Sequence, residues 1–164
     1  MSTTSTNLMP LARLAATLIG AFGIIMGRLA VSYPERHASM FGFHTRSSVV
    51  RSAESNPFIA ISGGRSSAAG FAIVLCVTVV GSDRATGVLL MSAFLTGFWD
   101  AFVLFRYSNL GVGAQDGNGN GNGDRDAAQV EAEKGTARSA ALGHLATTGV
   151  IAALGKWMVD NAER

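Results

Sequence analysis

The segment Ala85 to Phe105, ATGVLLMSAFLTGFWDAFVLF, carries a single charge, Asp100, in a run long enough to cross a lipid bilayer as a helix. Roughly 20 predominantly apolar residues suffice for a crossing. The same criterion selects three more windows, at about 8–31, 57–81 and 137–159. Gly63, Gly64, Arg65, Ser66 and Ser67 interrupt the second window; His144, Thr147, Thr148 and Lys156 dilute the fourth. Across 164 residues, 48% are apolar and 15% charged, against about 25% charged in an ordinary soluble domain. The expected fold is therefore all-α: one integral membrane four-helix bundle, up-down-up-down, filling residues 1–164.

The first window is too long for a signal-peptide core and lacks the basic flank of one, so it reads as a retained helix. Cys76 is the only cysteine, which excludes an internal disulfide. The net charge of +2 does not imply nucleic acid, because the basic residues are scattered and not laid in a stripe with stacking aromatics. There is no GxSxG, no Gly-rich phosphate loop and no HExxH.

Depth organises the charges. Let side B be the membrane face on which the first span ends. At about 1.5 Å per residue, Arg65 lies roughly 12 Å in from side B, Asp100 roughly 8 Å, His144 roughly 10 Å and Arg28 roughly 5 Å. Ionisable groups at such depth are costly and mark a site by default. An Asp, a His and two Arg are thus expected in one polar layer near the side-B mouth. That side also carries Arg36, Arg46, Arg51, Arg106, Arg125, Lys134 and Arg138, against Arg13, Arg84, Lys156 and Arg164 on side A. The excess favours side B as cytoplasmic.

The connections differ. Ser82 to Arg84 makes a tight antiparallel hairpin of the second and third spans. The loop from Ser32 to Asn56 opens on Ser32-Tyr33-Pro34-Glu35, which has the form of a capping box. A short interfacial helix is expected to follow and to end near Gly42, with Met40, Phe41 and Phe43 among the headgroups while Arg36 and His37 stay wet. This segment is a candidate lid. Residues 111–135 read as a flexible Gly/Asn-rich loop. Asp116 to Gly121 matches the opening of a calcium loop, but its twelfth position is Ala127 where a bidentate Glu is required, so calcium is rejected. Small-residue pairs for helix packing are Gly23 and Gly27, Ser66 and Gly70, Ala93 and Gly97, and Gly149 and Ala153.

Each polar residue at depth has a structural alternative. Arg28 could snorkel to the headgroups. Arg65 could form a salt bridge with Asp100 that only pins two helices together. Trp99 suits the interface, His144 could be a plain inter-helix hydrogen-bonding group, and Lys156 an end-of-helix snorkel. If Arg65, Asp100 and His144 meet, however, acid–base chemistry follows. A carboxylate held by a guanidinium abstracts a proton from water or a hydroxyl, while a nearby imidazole donates one. One intramembrane His with one Asp is too few ligands for a metal, and no cofactor is expected.

Arg28 with Pro34 and Phe41-Gly42, Gly64-Arg65 opening the second span, Phe98-Trp99-Asp100, and His144 near the start of the last span resemble a family of small fungal four-helix integral membrane proteins of largely unknown function. Similar small membrane proteins include membrane-bound epoxide hydrolases or cyclases that shape polyether polyketides. The resemblance implies Arg65, Asp100 and His144 as the functional positions; the Gly-Asn insertion departs from it.

The expected function is therefore a membrane enzyme of secondary metabolism that opens an epoxide on a lipophilic polyketide or terpenoid. Asp100 would act as base, His144 as acid and Arg65 as support, with Arg28, Tyr33, Ser62, Thr96, Trp99 and Thr148 contacting substrate. The alternative is a non-catalytic carrier or a lipid-binding assembly subunit whose polar layer is structural. A proton-coupled transporter is weaker, since four helices leave little room for alternating access. The expected partners are the lipophilic substrate and the bilayer, with homo-oligomerisation open. The expected location is the endoplasmic reticulum membrane, mouth toward the cytoplasm.

Overall fold

The structure is a computed structural model that describes residues 8–40, 55–110 and 127–162. These form α1 (Met9–Ser32), α2 (Pro34–Met40), α3 (Ser55–Leu75) continuing as a π-helical turn (Cys76–Val80), α4 (Asp83–Leu110) and α5 (Ala127–Asn161). No strand occurs among the described residues. Three stretches are long and apolar enough to span a membrane: Met9–Ser32, Ile59–Val80 and Asp83–Arg106. This is the pattern of an integral membrane protein. Within α5, His144, Thr147, Thr148 and Lys156 interrupt the apolar run, and that helix is not among the three.

The helices pack as two antiparallel pairs, α1 with α3 and α4 with α5. Glycine makes both seams. A methyl group on Gly20 would stand 2.7 Å from the Gly70 carbonyl oxygen, and one on Gly155 2.6 Å from that of Gly87. Backbones therefore touch directly, and dispersion between close surfaces supplies the cohesion that lipid does not. The expected pairs at Gly23/Gly27 and Ser66/Gly70 lie on the α1–α3 seam, and Gly97 lies against Thr148. Gly149 faces open space and Ala153 is exposed, so the fourth expected pair is not on a seam; Gly155 takes that role.

The two pairs meet mainly at side A. Ala12 and Ala16 of α1, Ile73 of α3, Leu90 of α4 and Met158 of α5 form one buried cluster there, flanked by Met9, Ile19, Val77, Leu154 and Trp157. Gly81, at φ 66°, ends the π-helical turn in the left-handed conformation that glycine tolerates. Ser82 then caps α4: the Ala85 N–H donates to its Oγ at 3.1 Å.

Three local expectations are corrected. Ser32 is the last residue of α1 and does not cap α2. The break falls at Tyr33 (φ −141°, ψ 65°), where Pro34 forbids the helical conformation to its predecessor. His37 is not wet: it is 8% exposed, on an α2 that folds back onto α1 and α3. Finally, residues 127–135, expected in the flexible loop, are helical, because Ala127 to Lys134 is a run of helix formers. The rest of that loop, its calcium-like segment, Phe41 and Phe43 lie outside the described residues.

Candidate active site

Asp100 stands where α3, α4 and α5 come closest to sharing a polar layer. Its position on α4 flanks the seam with α5, since Gly97, Ala101 and Leu104 are buried while Thr96, Trp99 and Val103 are exposed. One carboxylate oxygen, Oδ1, lies 3.7 Å from an Arg65 guanidinium nitrogen, and the other, Oδ2, lies 3.8 Å from His144 Nε2. Three residues distant in sequence, one from each of three helices, thus converge on one carboxylate. The agreement with the depth estimate has a simple cause: helix rise is fixed, so equal distance from one face becomes equal height in antiparallel helices.

The separations exceed hydrogen-bond length, so neither neighbour saturates the Asp100 oxygens. The side chains are also accessible: Arg65 62%, Asp100 38% and His144 27% exposed. A second ion pair shows what a closed clamp looks like. At side A, Arg13 Nε and Nη2 donate to the two oxygens of Asp83 at 2.7 and 2.8 Å, and Asp83 is only 13% exposed. Asp83 is saturated by a bidentate fork; Asp100 is held on both sides with its oxygens still reachable.

The other candidate positions are distributed around this centre. Thr96 is exposed one turn from Asp100, and Ser62 is half-buried one turn from Arg65. Trp99 is exposed and packs edge-on against Phe98 and Phe102, with centroids 6.2 and 5.7 Å away. Thr148 is buried against Gly97, and its hydroxyl donates to the backbone carbonyls of His144 and Leu145 at 2.9 and 3.1 Å. Its evident task is to fix the α5 turn that carries His144. Arg28 is exposed and makes no ion pair among the described residues; Tyr33 is exposed at the α1–α2 break.

Sequence reasoning missed two features. The Arg13–Asp83 pair was findable by the same depth argument applied to side A, but an acid in the first turn of a helix is already accounted for by the helix dipole. The burial of His37 left no signal, because it depends on the fold-back of α2. That burial pushes its pKa below the usual histidine value by desolvation. No group of three or more metal-binding side chains occurs among the described residues.

The chain belongs to the family described as a domain of unknown function, DUF4267, which matches residues 20–158. The match contains Arg65, Asp100 and His144; Arg13 lies before it. No curated protein and no solved structure matches the chain.

Proposed function

From membership in a family without an assigned reaction, we propose that this protein is a membrane enzyme that opens an epoxide on a lipophilic substrate by acid–base catalysis. The observation that carries the proposal is Asp100, flanked within 4 Å by Arg65 and His144 yet accessible. The choice of epoxide rests on the resemblance of Gly64-Arg65, Phe98-Trp99-Asp100 and His144 to the small membrane hydrolases and cyclases of polyether polyketides. In this reading α5 crosses the bilayer as the fourth helix of an up-down-up-down bundle. The site mouth opens to the cytoplasm from the endoplasmic reticulum.

The step balances without a cofactor. Asp100 takes a proton from water as the water oxygen attacks an epoxide carbon. The ring C–O bond breaks, and the departing oxygen receives a proton from the His144 imidazolium. Asp100 returns its proton to His144, and the net change is addition of water. In cyclisation a substrate hydroxyl replaces the water, giving a cyclic ether. Arg65 orients Asp100 and stabilises developing negative charge.

The test is turnover of lipophilic epoxides to diols or cyclic ethers by the purified protein in bilayers. Asp100→Asn should reduce the rate by about a thousandfold, as loss of a positioned base does, with helicity and membrane insertion unchanged. Full activity in that variant removes Asp100 from the mechanism. A second reading is favoured by one observation: Arg65–Asp100 joins the two helix pairs, as Arg13–Asp83 does at the other end. If the polar layer is only a clamp of a carrier or assembly subunit, Asp100→Asn lowers folded yield and no epoxide is consumed.

A further inference from the structure

The seam between α4 and α5 holds an interlock one turn from the site toward side A. Thr148 is 7% exposed, and its side chain fills the space that the buried Gly97 leaves on α4. A methyl group on Gly97 would overlap the Thr148 methyl and stand 2.9 Å from its Cβ, so the two positions fit as knob and hole. The Thr148 hydroxyl is spent locally. It donates to the carbonyls of His144 and Leu145 at 2.9 and 3.1 Å, which fixes its rotamer and satisfies a hydroxyl that would be costly to leave unpaired at this depth. The methyl is held on Gly97. From this contact, four residues back along α5 lead to His144, and three forward along α4 lead to Asp100. The two helices are antiparallel, so both steps rise toward side B, by about 6 and about 4.5 Å. They bring His144 Nε2 within 3.8 Å of Asp100 Oδ2. Any slide or rotation of one helix against the other at the interlock changes that spacing.

We propose that Thr148, seated on Gly97, is a positioning residue that sets the His144 imidazole at the Asp100 carboxylate, and is not a substrate contact. The proposal rests on reading Asp100 and His144 as base and acid. Arg65 reaches Asp100 from the other helix pair, so the interlock governs the acid–base spacing and not the guanidinium. Thr147 supplies the control. Its hydroxyl makes the same kind of bond, to the Gly143 carbonyl at 2.9 Å, but Thr147 is exposed and Gly143 faces open space. It shares the residue type and the turn of α5 yet lies off the seam.

The chain has three histidines, and His144→Gln identifies the His144 signals in protein made with isotopically labelled histidine and placed in nanodiscs. At constant pH, Asp100→Asn should displace the His144 ring resonances, because it removes the charge of a carboxylate 3.8 Å away. In the Thr148→Ala background that displacement should be largely lost. Thr148→Val, whose branched side chain keeps a methyl toward Gly97 in its preferred helical rotamer, should restore it, and Thr147→Ala should leave it at native size. With a lipophilic epoxide as substrate, Thr148→Ala should lower kcat by about a hundredfold, the effect of a misplacement of about 1 Å, with KM little changed. No displacement in the native background, full displacement in Thr148→Ala, equal loss in Thr147→Ala, or no recovery in Thr148→Val overturns the proposal. A raised KM with full kcat in Thr148→Ala assigns Thr148 to the substrate and overturns it as well. The expected displacements without any epoxide turnover by the native protein would sink the enzymatic reading alone, whereas turnover that needs Asp100 but runs at full rate in Thr148→Ala would sink the positioning role alone.

Discussion

Asp83 and Asp100 sit on one helix in opposite circumstances. Asp83 is shielded and receives both nitrogens of the Arg13 fork, so Asp83→Asn should destabilise the protein by about 1 kcal/mol, the upper range for a pair with one partly exposed member. A thermal scan in detergent should show the loss, and Arg13→Gln should add little in the Asp83→Asn background if the two act as a unit. Asp100, more open and at longer distances, should cost less stability than Asp83 when changed to Asn. A larger loss at Asp100 than at Asp83 would favour the clamp over the catalyst. His37 has its own signature. Burial lowers its pKa in the folded state, so the unfolded state binds more protons once the pH falls below the ordinary histidine value of about 6.5. Stability is full above that value and declines below it until the folded-state pKa is passed. Hydrogen exchange of the α2 amides, corrected for intrinsic rate, should accelerate on acidification, and His37→Gln should flatten that dependence. The trio was legible in the sequence because depth needs only residue counts. His37 was not, because its environment comes from other helices.

The seams tell which glycines matter. Gly87 faces the Gly155 carbonyl, and Gly70 faces that of Gly20, so Gly87→Leu or Gly70→Leu must push the paired backbones apart. Overpacking of this kind costs about 1–3 kcal/mol, visible as a lowered midpoint or loss of monodisperse protein. Gly149, which faces open space within α5, should accept Ala with no loss and a gain of up to about 1 kcal/mol from helix propensity. Equal damage at Gly87 and Gly149 would refute the register. On α1 and α3 small residues form one row each, and the sequence pattern found it. Helix α5 carries Ala and Gly on every face; its buried residues include Ala137, Ala141, Thr148, Gly155 and Met158, with a seven-residue spacing from Ala141 through Thr148 to Gly155 that pairs of small residues four apart do not reveal. The start of α5 carried a signal that the flexible-loop reading passed over: Asp126 with Gln129 three residues later has the form of an N-cap pattern just before a run of helix formers.

The molecule is joined asymmetrically. At side A the two helix pairs share an apolar cluster, the Arg13–Asp83 fork and the tight Gly81-Ser82 turn; toward side B the Arg65–Asp100 contact that joins them is a loose one. Apolar burial and a saturated ion pair resist opening, whereas an ion pair at 3.7 Å without a hydrogen bond resists it little. The pairs should therefore move relative to each other about side A, widening and narrowing the mouth where Asp100 lies. With Cys76→Ser as background, spin labels at Leu11 and Ala153 report side A, and labels at Val31 and Ser139 report side B; all four positions are exposed. Pulsed dipolar spectroscopy should give a broader distance distribution at side B than at side A, and an amphiphile that occupies the polar layer should narrow the first and leave the second unchanged. Equally narrow distributions at both ends would mean a rigid bundle, in which substrate must enter a preformed opening without any rocking of the pairs.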